Sequence, residues 1–155
     1  DPNLHLTVNV CRTTLLDERW HERLKALREN HAAAISRMIF EVTEWPARAA
    51  HTPLFKSSRA LTTLGSELWL DDFGAGLTSF NEVFVDGITG IKIDRSLLRH
   101  AYADGDAFGV LDTVTSFAAR MGKVCVIEGA ENDDERQFAE DHGATHVQGY
   151  FSGRI

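Results

Sequence analysis

The stretch LWLDDFGAGLTSF, residues 68–80, runs from apolar residues typical of a buried strand into a turn marked by glycines. Two adjacent aspartates, Asp71 and Asp72, lie where the strand gives way to the turn. Like charges repel, and a desolvated carboxylate is costly unless it is paired. Taken alone, such a pair is most often a solvated turn or a helix cap. What the aspartates do therefore depends on the rest of the chain.

Five further segments share the apolar, β-branched character of this strand, with helical patterns between most of them. The strand segments are LHLTVNV (4–10), RMIFEVTE (37–44), SELWLDDF (66–73), ITGIKID (88–94), KVCVIEG (123–129) and ATHVQGYF (144–151). Helical stripes are formed by Trp20, Leu24 and Leu27 before Asn30, by Leu54, Leu61 and Leu64 before Gly65, by Leu111, Val114, Ala118 and Met121 between Asp106 and Gly122, and around Phe138 from near Asn132 to Gly143. This alternation predicts parallel βα units in a single domain over residues 1–155.

Polar residues follow the apolar part of each predicted strand. They are Asn9, Glu41, Glu44, Asp71, Asp72, Lys92, Asp94, Glu128, Glu131 and Gln148. Because the carboxyl ends of parallel strands converge on one mouth, we expect these side chains to gather there. Individually, Lys92 also fits an interstrand ion pair and Gln148 a satisfied polar residue. The seven histidines show no metal-ligand spacing, so we assign them to surface or core polar roles.

A cluster of carboxylates is explained if it holds divalent cations. Asn, Asp and Glu oxygens are hard ligands suited to Mg²⁺ or Mn²⁺, and these ions also bridge phosphate oxygens. Two adjacent aspartates at a strand end can serve two metals, and Gly74 and Gly76 would let the loop turn sharply beside a ligand.

The composition narrows the class of partner. A formal net charge of −7 argues against binding to DNA, RNA or anionic lipid, and an anionic ligand would need bridging cations. No apolar run long enough for a membrane span and no leader are visible, which predicts a cytoplasmic protein. Cys11 and Cys125 lie in strand-like runs and are expected to be reduced core residues. The chain opens at Asp1 without a methionine, so we expect upstream residues.

The motifs VNV, FEVTE, DDFGAGLTS, IKIDRS, IEGAE and QGYFS, in this order, resemble the successive motifs of EAL domains, the bacterial cyclic di-GMP phosphodiesterase family. The resemblance covers nearly the whole chain. It implies a modified (β/α)₈ barrel that hydrolyses one phosphodiester bond of cyclic di-GMP to give linear pGpG, with two bound Mg²⁺ or Mn²⁺ ions.

The resemblance also implies roles for individual residues. Asn9, Glu41 and Asp71 correspond to ligands of the first metal, and Asp71, Asp72 and Glu128 to ligands of the second. Lys92 would position the attacking water or stabilise developing charge, and Glu128 would also act as general base. Glu44 would tether the loop through Thr78. The resemblance places Asp94, Glu131 and Gln148 in supporting or substrate-contacting positions.

The chain departs from the family pattern in one large respect. It contains no Glu-Ala-Leu motif, whose glutamate is a first-metal ligand in the family and whose following arginine usually contacts substrate. Six strands are predicted where the family has eight, so the barrel and the two-metal site are expected to be incomplete. Open strand edges invite pairing with another chain, which predicts a homodimer or a partner chain over the open side.

Three functions follow from these observations. The chain is a cyclic di-GMP phosphodiesterase if the missing part is supplied, or a catalytically inactive module that binds cyclic di-GMP or a protein partner. The third alternative is a folded remnant without a ligand.

Overall fold

The structure, a computed structural model, describes residues 4–43, 51–75, 82–103 and 108–153. All six predicted strands are present within these ranges, each within a residue or two of its expected position. The strands are β1 Leu6–Asn9, β2 Met38–Thr43, β3 Glu67–Phe73, β4 Ile88–Ile93, β5 Val124–Ala130 and β6 His146–Gly149.

The strands follow one another in the sheet in the order of the chain, β1-β2-β3-β4-β5-β6. β1 pairs with β2 in parallel, as do β4 with β5 and β5 with β6. This arrangement confirms the predicted βα units, because neighbouring parallel strands need a crossover connection. Leu68, Ile91 and Ile127 are fully buried, as expected for strands covered on their faces.

Helices lie between β1 and β2, β2 and β3, β4 and β5, and β5 and β6. The helices are α1 Arg12–Leu15, α2 Glu18–Ile35, α3 His51–Leu64, α4 Arg95–Ala103, α5 Phe108–Arg120 and α6 Asp133–Asp141, and a short 3₁₀ helix spans Tyr150–Ser152.

Four of the helices were predicted, and two of their ends differ from expectation. α2 is kinked at His31 (φ −135°, ψ 36°), directly after the predicted end at Asn30, and a further helical turn runs on to the buried Ile35. Leu27 is exposed rather than part of the buried stripe. Met121 lies just after the end of α5. α6 begins as predicted, because Asn132 Oδ1 accepts a hydrogen bond from Glu135 N at 2.9 Å.

The predicted cap of α5 at Asp106 lies outside the described residues. The short α1 and the whole of α4 were not predicted from the sequence.

The chain forms two compact units over its described residues. The first comprises Asp1–Leu70 and Ser79–Thr89, and the second comprises Asp71–Thr78 and Gly90–Ile155. A single domain over residues 1–155 stays a prediction. Among the described helices, none combines the length and the apolar character that a membrane span requires.

The two cysteines differ in environment. Cys125 is a buried free thiol, as predicted for a core residue. Cys11 is also free but exposed, because it lies directly before α1 and not inside a strand. The expectation that both thiols lie in the core was therefore wrong for Cys11.

Candidate metal centre at the carboxyl ends of the strands

Three carboxylates converge in the second unit. Asp71, Asp72 and Glu128 each offer one oxygen, and these oxygens all lie within 4.8 Å of one another. Asp71 and Asp72 come from β3 and Glu128 from β5, two strands that are separated in the sheet by β4. The sequence rule that polar strand ends meet at one mouth thus holds for these three residues.

The backbone at Asp72 explains how two adjacent aspartates reach the same point. Successive side chains of a regular strand point to opposite faces. Asp72 has φ 55°, in the left-handed region, and is the one such non-glycine residue in the described chain. This conformation breaks the alternation at the end of β3. Aspartate tolerates it better than most residues, and such outliers concentrate at functional sites.

Lys92 of β4 lies between the carboxylates. Its Nζ is 2.6 Å from Glu128 Oε1 and 3.0 Å from Asp71 Oδ1. The lysine is 5% exposed, so both ion pairs are largely shielded from water. The contact with Asp71 has ion-pair distance without hydrogen-bond alignment, and Asp71 Oδ1 accepts no hydrogen bond from the described residues. One ammonium therefore holds two carboxylates and leaves the cluster negatively charged.

A bulge in β5 places Glu128. Glu128 is opposite Gln148 in β6, but the next register pair is Ala130 with Gly149, so Gly129 is the extra residue. Gly129 has φ +82°, and a Cβ there would lie 2.3 Å from Arg95 Cβ of α4. Bulges redirect side chains next to functional sites. Only glycine fits this position, which keeps α4 close to the strand end that carries Glu128.

The pKa values reflect the crowding of negative charge. Burial raises the pKa of Glu128, and Asp71 and Asp72 raise it further, while the hydrogen bond and charge of Lys92 act against this. Partial burial also raises the pKa of Asp72, helped by the charges of Asp71 and Asp94. Both carboxylates therefore lack the full positive charge that would stabilise their ionised forms.

Asp94 behaves differently from its neighbours. Its burial alone would raise its pKa, but Ser96 and the charge of Arg95 lower it below the ordinary value. Asp94 Oδ1 accepts a hydrogen bond from Ser96 N at 2.9 Å, as a helix-capping residue does. Asp94 thus orders the start of α4 in addition to facing the site.

A cavity of about 870 Å³ opens over these groups within the second unit. Its volume is within the range of small-molecule sites. The lining includes five of the predicted site residues, Asp72, Asp94, Glu128, Glu131 and Gln148, together with Arg95, Arg99 and Tyr150.

The three last-named residues were missed in the sequence. Arg95 follows Asp94 directly, and Tyr150 comes two residues after Gln148. The strand-end rule would have included both had it been extended by one or two residues. Arg99 lies one helical turn after Arg95, and its guanidinium pairs with Glu131.

The remaining predicted ligands lie in the first unit. Asn9 and Glu41 are register partners at the carboxyl ends of β1 and β2, and Glu41 is 4% exposed. The two residues are thus adjacent to each other, as the prediction that both bind one metal would require. Glu44 and Thr78 lie outside the described residues.

The second-unit cluster suits a hard divalent cation. Its donors are all carboxylate oxygens, it carries net negative charge, and Asp71 Oδ1 is buried with no hydrogen bond from the described residues. A buried acceptor of this kind is costly unless something binds it. Oxygen ligands of this type match Mg²⁺, Mn²⁺ and Ca²⁺.

Comparison with known proteins identifies the family. The family model described as "EAL domain" matches residues 1–154. The chain belongs to the EAL domain family. The predicted resemblance is therefore confirmed, and so is the incomplete EAL-type barrel fold.

Proteins of known name are also similar to this chain in sequence. This EAL chain is 28% identical over 151 residues to the cyclic di-GMP phosphodiesterase RocR of Pseudomonas aeruginosa, covering 97% of this chain and 38% of RocR. The chain thus spans well under two thirds of the length of RocR.

Solved EAL structures share the fold. The EAL domain of Mycobacterium smegmatis DcpA aligns with a TM-score of 0.87 at 21% identity, covering 98% of this chain and 68% of that one. Klebsiella pneumoniae BlrP1, solved as a calcium and cyclic di-GMP complex, aligns with a TM-score of 0.80 at 25% identity, covering 95% of this chain and 38% of that one.

Proposed function

We propose that this chain is the part of an EAL domain that binds cyclic di-GMP through divalent cations, and that it hydrolyses one phosphodiester bond to give pGpG when the remainder of the domain is supplied. The observation that carries the proposal is the group of three carboxylates, Asp71, Asp72 and Glu128, within 4.8 Å of one another beside the buried Lys92. A protein that needed only its fold would gain nothing from this cluster, because desolvated like charges destabilise it.

The relatives support the choice of ligand. RocR is named a cyclic di-GMP phosphodiesterase, and BlrP1 was solved with calcium and cyclic di-GMP together. Each phosphodiester group of cyclic di-GMP is an anion, and it and an acidic cluster repel each other, so cations must lie between them. Mg²⁺ or Mn²⁺ is the proposed resident ion, because both favour oxygen ligands and bridge phosphates.

The residues of this chain have distinct proposed roles. Bound divalent cations would supply an activated water at neutral pH and neutralise charge on the phosphate. Asp71, Asp72 and Glu128 would hold one ion, and Asn9 and Glu41 would hold another together with Asp71. Lys92 fixes the carboxylates of Asp71 and Glu128 by its two ion pairs.

Proton transfer is assigned to Glu128. Its carboxylate faces the cavity and accepts a hydrogen bond from Lys92, which orients it toward the reacting water. Asp94, Glu131 and Gln148 line the same cavity and are proposed to support or contact the substrate. Glu44 and Thr78 are proposed to anchor the loop after Asp72.

A second candidate function is binding without hydrolysis. It is favoured by the absence of a Glu-Ala-Leu tripeptide from these 155 residues, since the resemblance makes its glutamate a ligand of the first metal. A metal with too few ligands is held loosely, and a phosphate left unanchored is poorly aligned for attack. The chain alone would then act as a receptor for cyclic di-GMP or for a protein partner.

One experiment tests both candidates. The chain is incubated with cyclic di-GMP and Mn²⁺, binding is followed by calorimetry, and pGpG is followed by chromatography. Turnover that Asp71→Ala abolishes and the exposed-site control Asp133→Ala preserves supports the enzyme. Saturable binding without product supports the receptor, and neither binding nor product contradicts both.

A partner for the open edge is part of the same proposal. Leu4 and Leu6 are 58% and 57% exposed beside and within β1, the first strand of the sheet. Exposed apolar edge strands favour pairing with another chain. We therefore expect a homodimer or a partner chain here, in the bacterial cytoplasm.

A further inference from the structure

Arg95 is the feature of the cavity that the proposed roles leave unexplained. It lies at the first position of α4 and lines the cavity that contains Asp72 and Glu128. A cation at a helix N-terminus is electrostatically unfavourable, because the helix dipole is positive there. Helix stability therefore gives no reason for an arginine at this position.

The arginine has no strong partner among the described residues. No carboxylate of the described chain lies within ion-pair distance of its guanidinium, whereas Arg99, one turn later, pairs with Glu131. The adjacent Asp94 carboxylate instead accepts a hydrogen bond from Ser96 N. The Arg95 side chain acts on the Asp94 carboxylate through its charge alone, and thus lines a carboxylate-rich cavity without an ion pair to any described residue.

The stem of Arg95 is held in place. A Cβ on Gly129 would meet Arg95 Cβ at 2.3 Å, so the glycine brings this part of α4 directly against the strand end after Glu128. The guanidinium therefore extends from a point beside the metal-binding carboxylates. Its donors form a planar fork that suits two oxygens of one phosphate.

We propose that Arg95 binds the second phosphodiester group of the substrate, the one that is not held at the Asp71, Asp72 and Glu128 cluster. This inference rests on the proposed function, because cyclic di-GMP carries two phosphodiester groups in one ring. The carboxylate cluster with its cations accounts for one group. The other is also an anion and needs its own cation, which Arg95 supplies.

The test compares a ligand with two phosphates and a ligand with one. Dissociation constants for cyclic di-GMP and for 5′-GMP are measured by calorimetry in Ca²⁺ with the wild-type chain, Arg95→Met and Arg120→Ala. Arg95→Met keeps the apolar stem, and Arg120 is an exposed arginine of α5 outside this cavity. We expect Arg95→Met to weaken cyclic di-GMP binding about tenfold to a hundredfold, the range of a charge-assisted hydrogen bond, and to change 5′-GMP binding less than about twofold.

Several results would overturn the assignment. Equal weakening of both ligands would place Arg95 at the metal-bound phosphate or in general attraction, and unchanged cyclic di-GMP binding would exclude any contact. If Arg120→Ala weakened cyclic di-GMP binding equally, the change in net charge would explain the loss, and a contact with Arg95 would not be needed. If the wild-type chain binds no cyclic di-GMP, the proposed function itself fails and takes this inference with it. Thermal unfolding of each variant guards against misfolding, and Arg95→Lys should recover part of the affinity.

Discussion

Lys92 is the residue on which the electrostatics of the acidic cluster depend. Its ammonium contacts Asp71 and Glu128 and is buried between the strands that carry them. Removing one partner of a buried ion pair leaves an uncompensated charge, which is more damaging than the pair is stabilising. The single lysine thus offsets part of the repulsion between the carboxylates in the folded chain. The negative charge that remains is available to bind metal ions.

Lys92→Met should lower the free energy of unfolding by about 3 kcal/mol in the absence of metal. Saturating Mn²⁺ should restore more stability to this variant than it adds to the wild type, because the ion replaces the lost positive charge. Urea unfolding with and without Mn²⁺ measures both effects. The control Lys25→Met, which breaks the exposed pair with Glu22, should change stability by less than about 0.5 kcal/mol. A metal-independent loss in Lys92→Met would contradict the expectation.

The two thiols should differ sharply in reactivity. Hydrogen bonds from the side chains of Thr13 and Thr14 lower the pKa of Cys11 to about 7, whereas burial raises the pKa of Cys125 to about 12. Because the thiolate is the nucleophile, alkylation of Cys11 should increase through pH 7 and level off above it. Cys125 should stay unmodified in the folded chain.

Mass spectrometry after short exposure to iodoacetamide at several pH values checks this pattern. Replacing Thr13 and Thr14 by valine should move the midpoint of Cys11 upward, toward an ordinary thiol. In urea both cysteines should react alike. A wild-type midpoint for Cys11 near that of a free thiol, about 8.5, is the result that refutes the prediction.

At the scale of elements, the β5 bulge and α4 form a single device. Gly129 both turns the strand and admits Arg95 of α4, so the start of the helix and the end of the strand are positioned together. A side chain at residue 129 would have to adopt a left-handed conformation and displace the helix. The site therefore depends on a residue that has no side chain.

Gly129→Ala should destabilise the chain by about 2 to 4 kcal/mol, combining the left-handed strain with overpacking against Arg95. Gly122→Ala is the matched control. It has φ +65° and no atom within 4 Å of the added Cβ, so it should cost only about 1 kcal/mol of strain. Chemical denaturation of the two variants separates the effect of crowding from that of backbone strain. Equal losses of unfolding free energy would show that Arg95 can move aside without destabilising the chain.

The sequence predicts helices and strands well where the apolar pattern agrees with the capping and turn residues that end each segment. All six strands and four of the helices were predicted because continuous apolar runs alternate with amphipathic stripes and cap signals such as Asn132. α4 was missed because its nine residues offer only Leu98 and Ala101 as buried positions. α1 was missed because four residues are too few to show a period.

The residues of the candidate site were likewise predictable in part. Which carboxylates gather could be read from strand ends, since parallel strands converge. The backbone conformation of Asp72 and the bulge at Gly129 could not, because each depends on contacts between distant segments. The exposure of Cys11 was also hidden, since Val10 and Cys11 extend the predicted strand past Asn9 although β1 ends there.

At the scale of the whole molecule, the family is established while the chain spans only part of its named relatives, 38% in the case of RocR. The six-stranded sheet ends at β1 and β6 within the described residues. The exposed Leu4 and Leu6 at β1 are therefore apolar side chains that a chain pairing with this edge would bury.

The wild-type chain should self-associate at micromolar concentration, which light scattering after size exclusion measures directly. The double substitution of Leu4 and Leu6 by lysine should give a monomer, because edge charges oppose strand pairing. Val110→Lys alters an apolar residue of similar exposure on α5 and should leave the association intact. A strictly monomeric wild-type chain would refute the prediction.

At Asp72, with its left-handed backbone, the residue types that favour thermal stability should differ from the residue type that favours binding of metal and cyclic di-GMP. Glycine relieves the strained conformation and asparagine tolerates it, and both remove a negative charge from a repelling cluster. Asp72→Gly and Asp72→Asn should therefore become enriched in a variant library sorted for survival at raised temperature, and be depleted from one sorted for metal-dependent retention of cyclic di-GMP. A screen that selects this chain for thermal stability alone would therefore favour variants that have lost the proposed metal-binding carboxylate of Asp72.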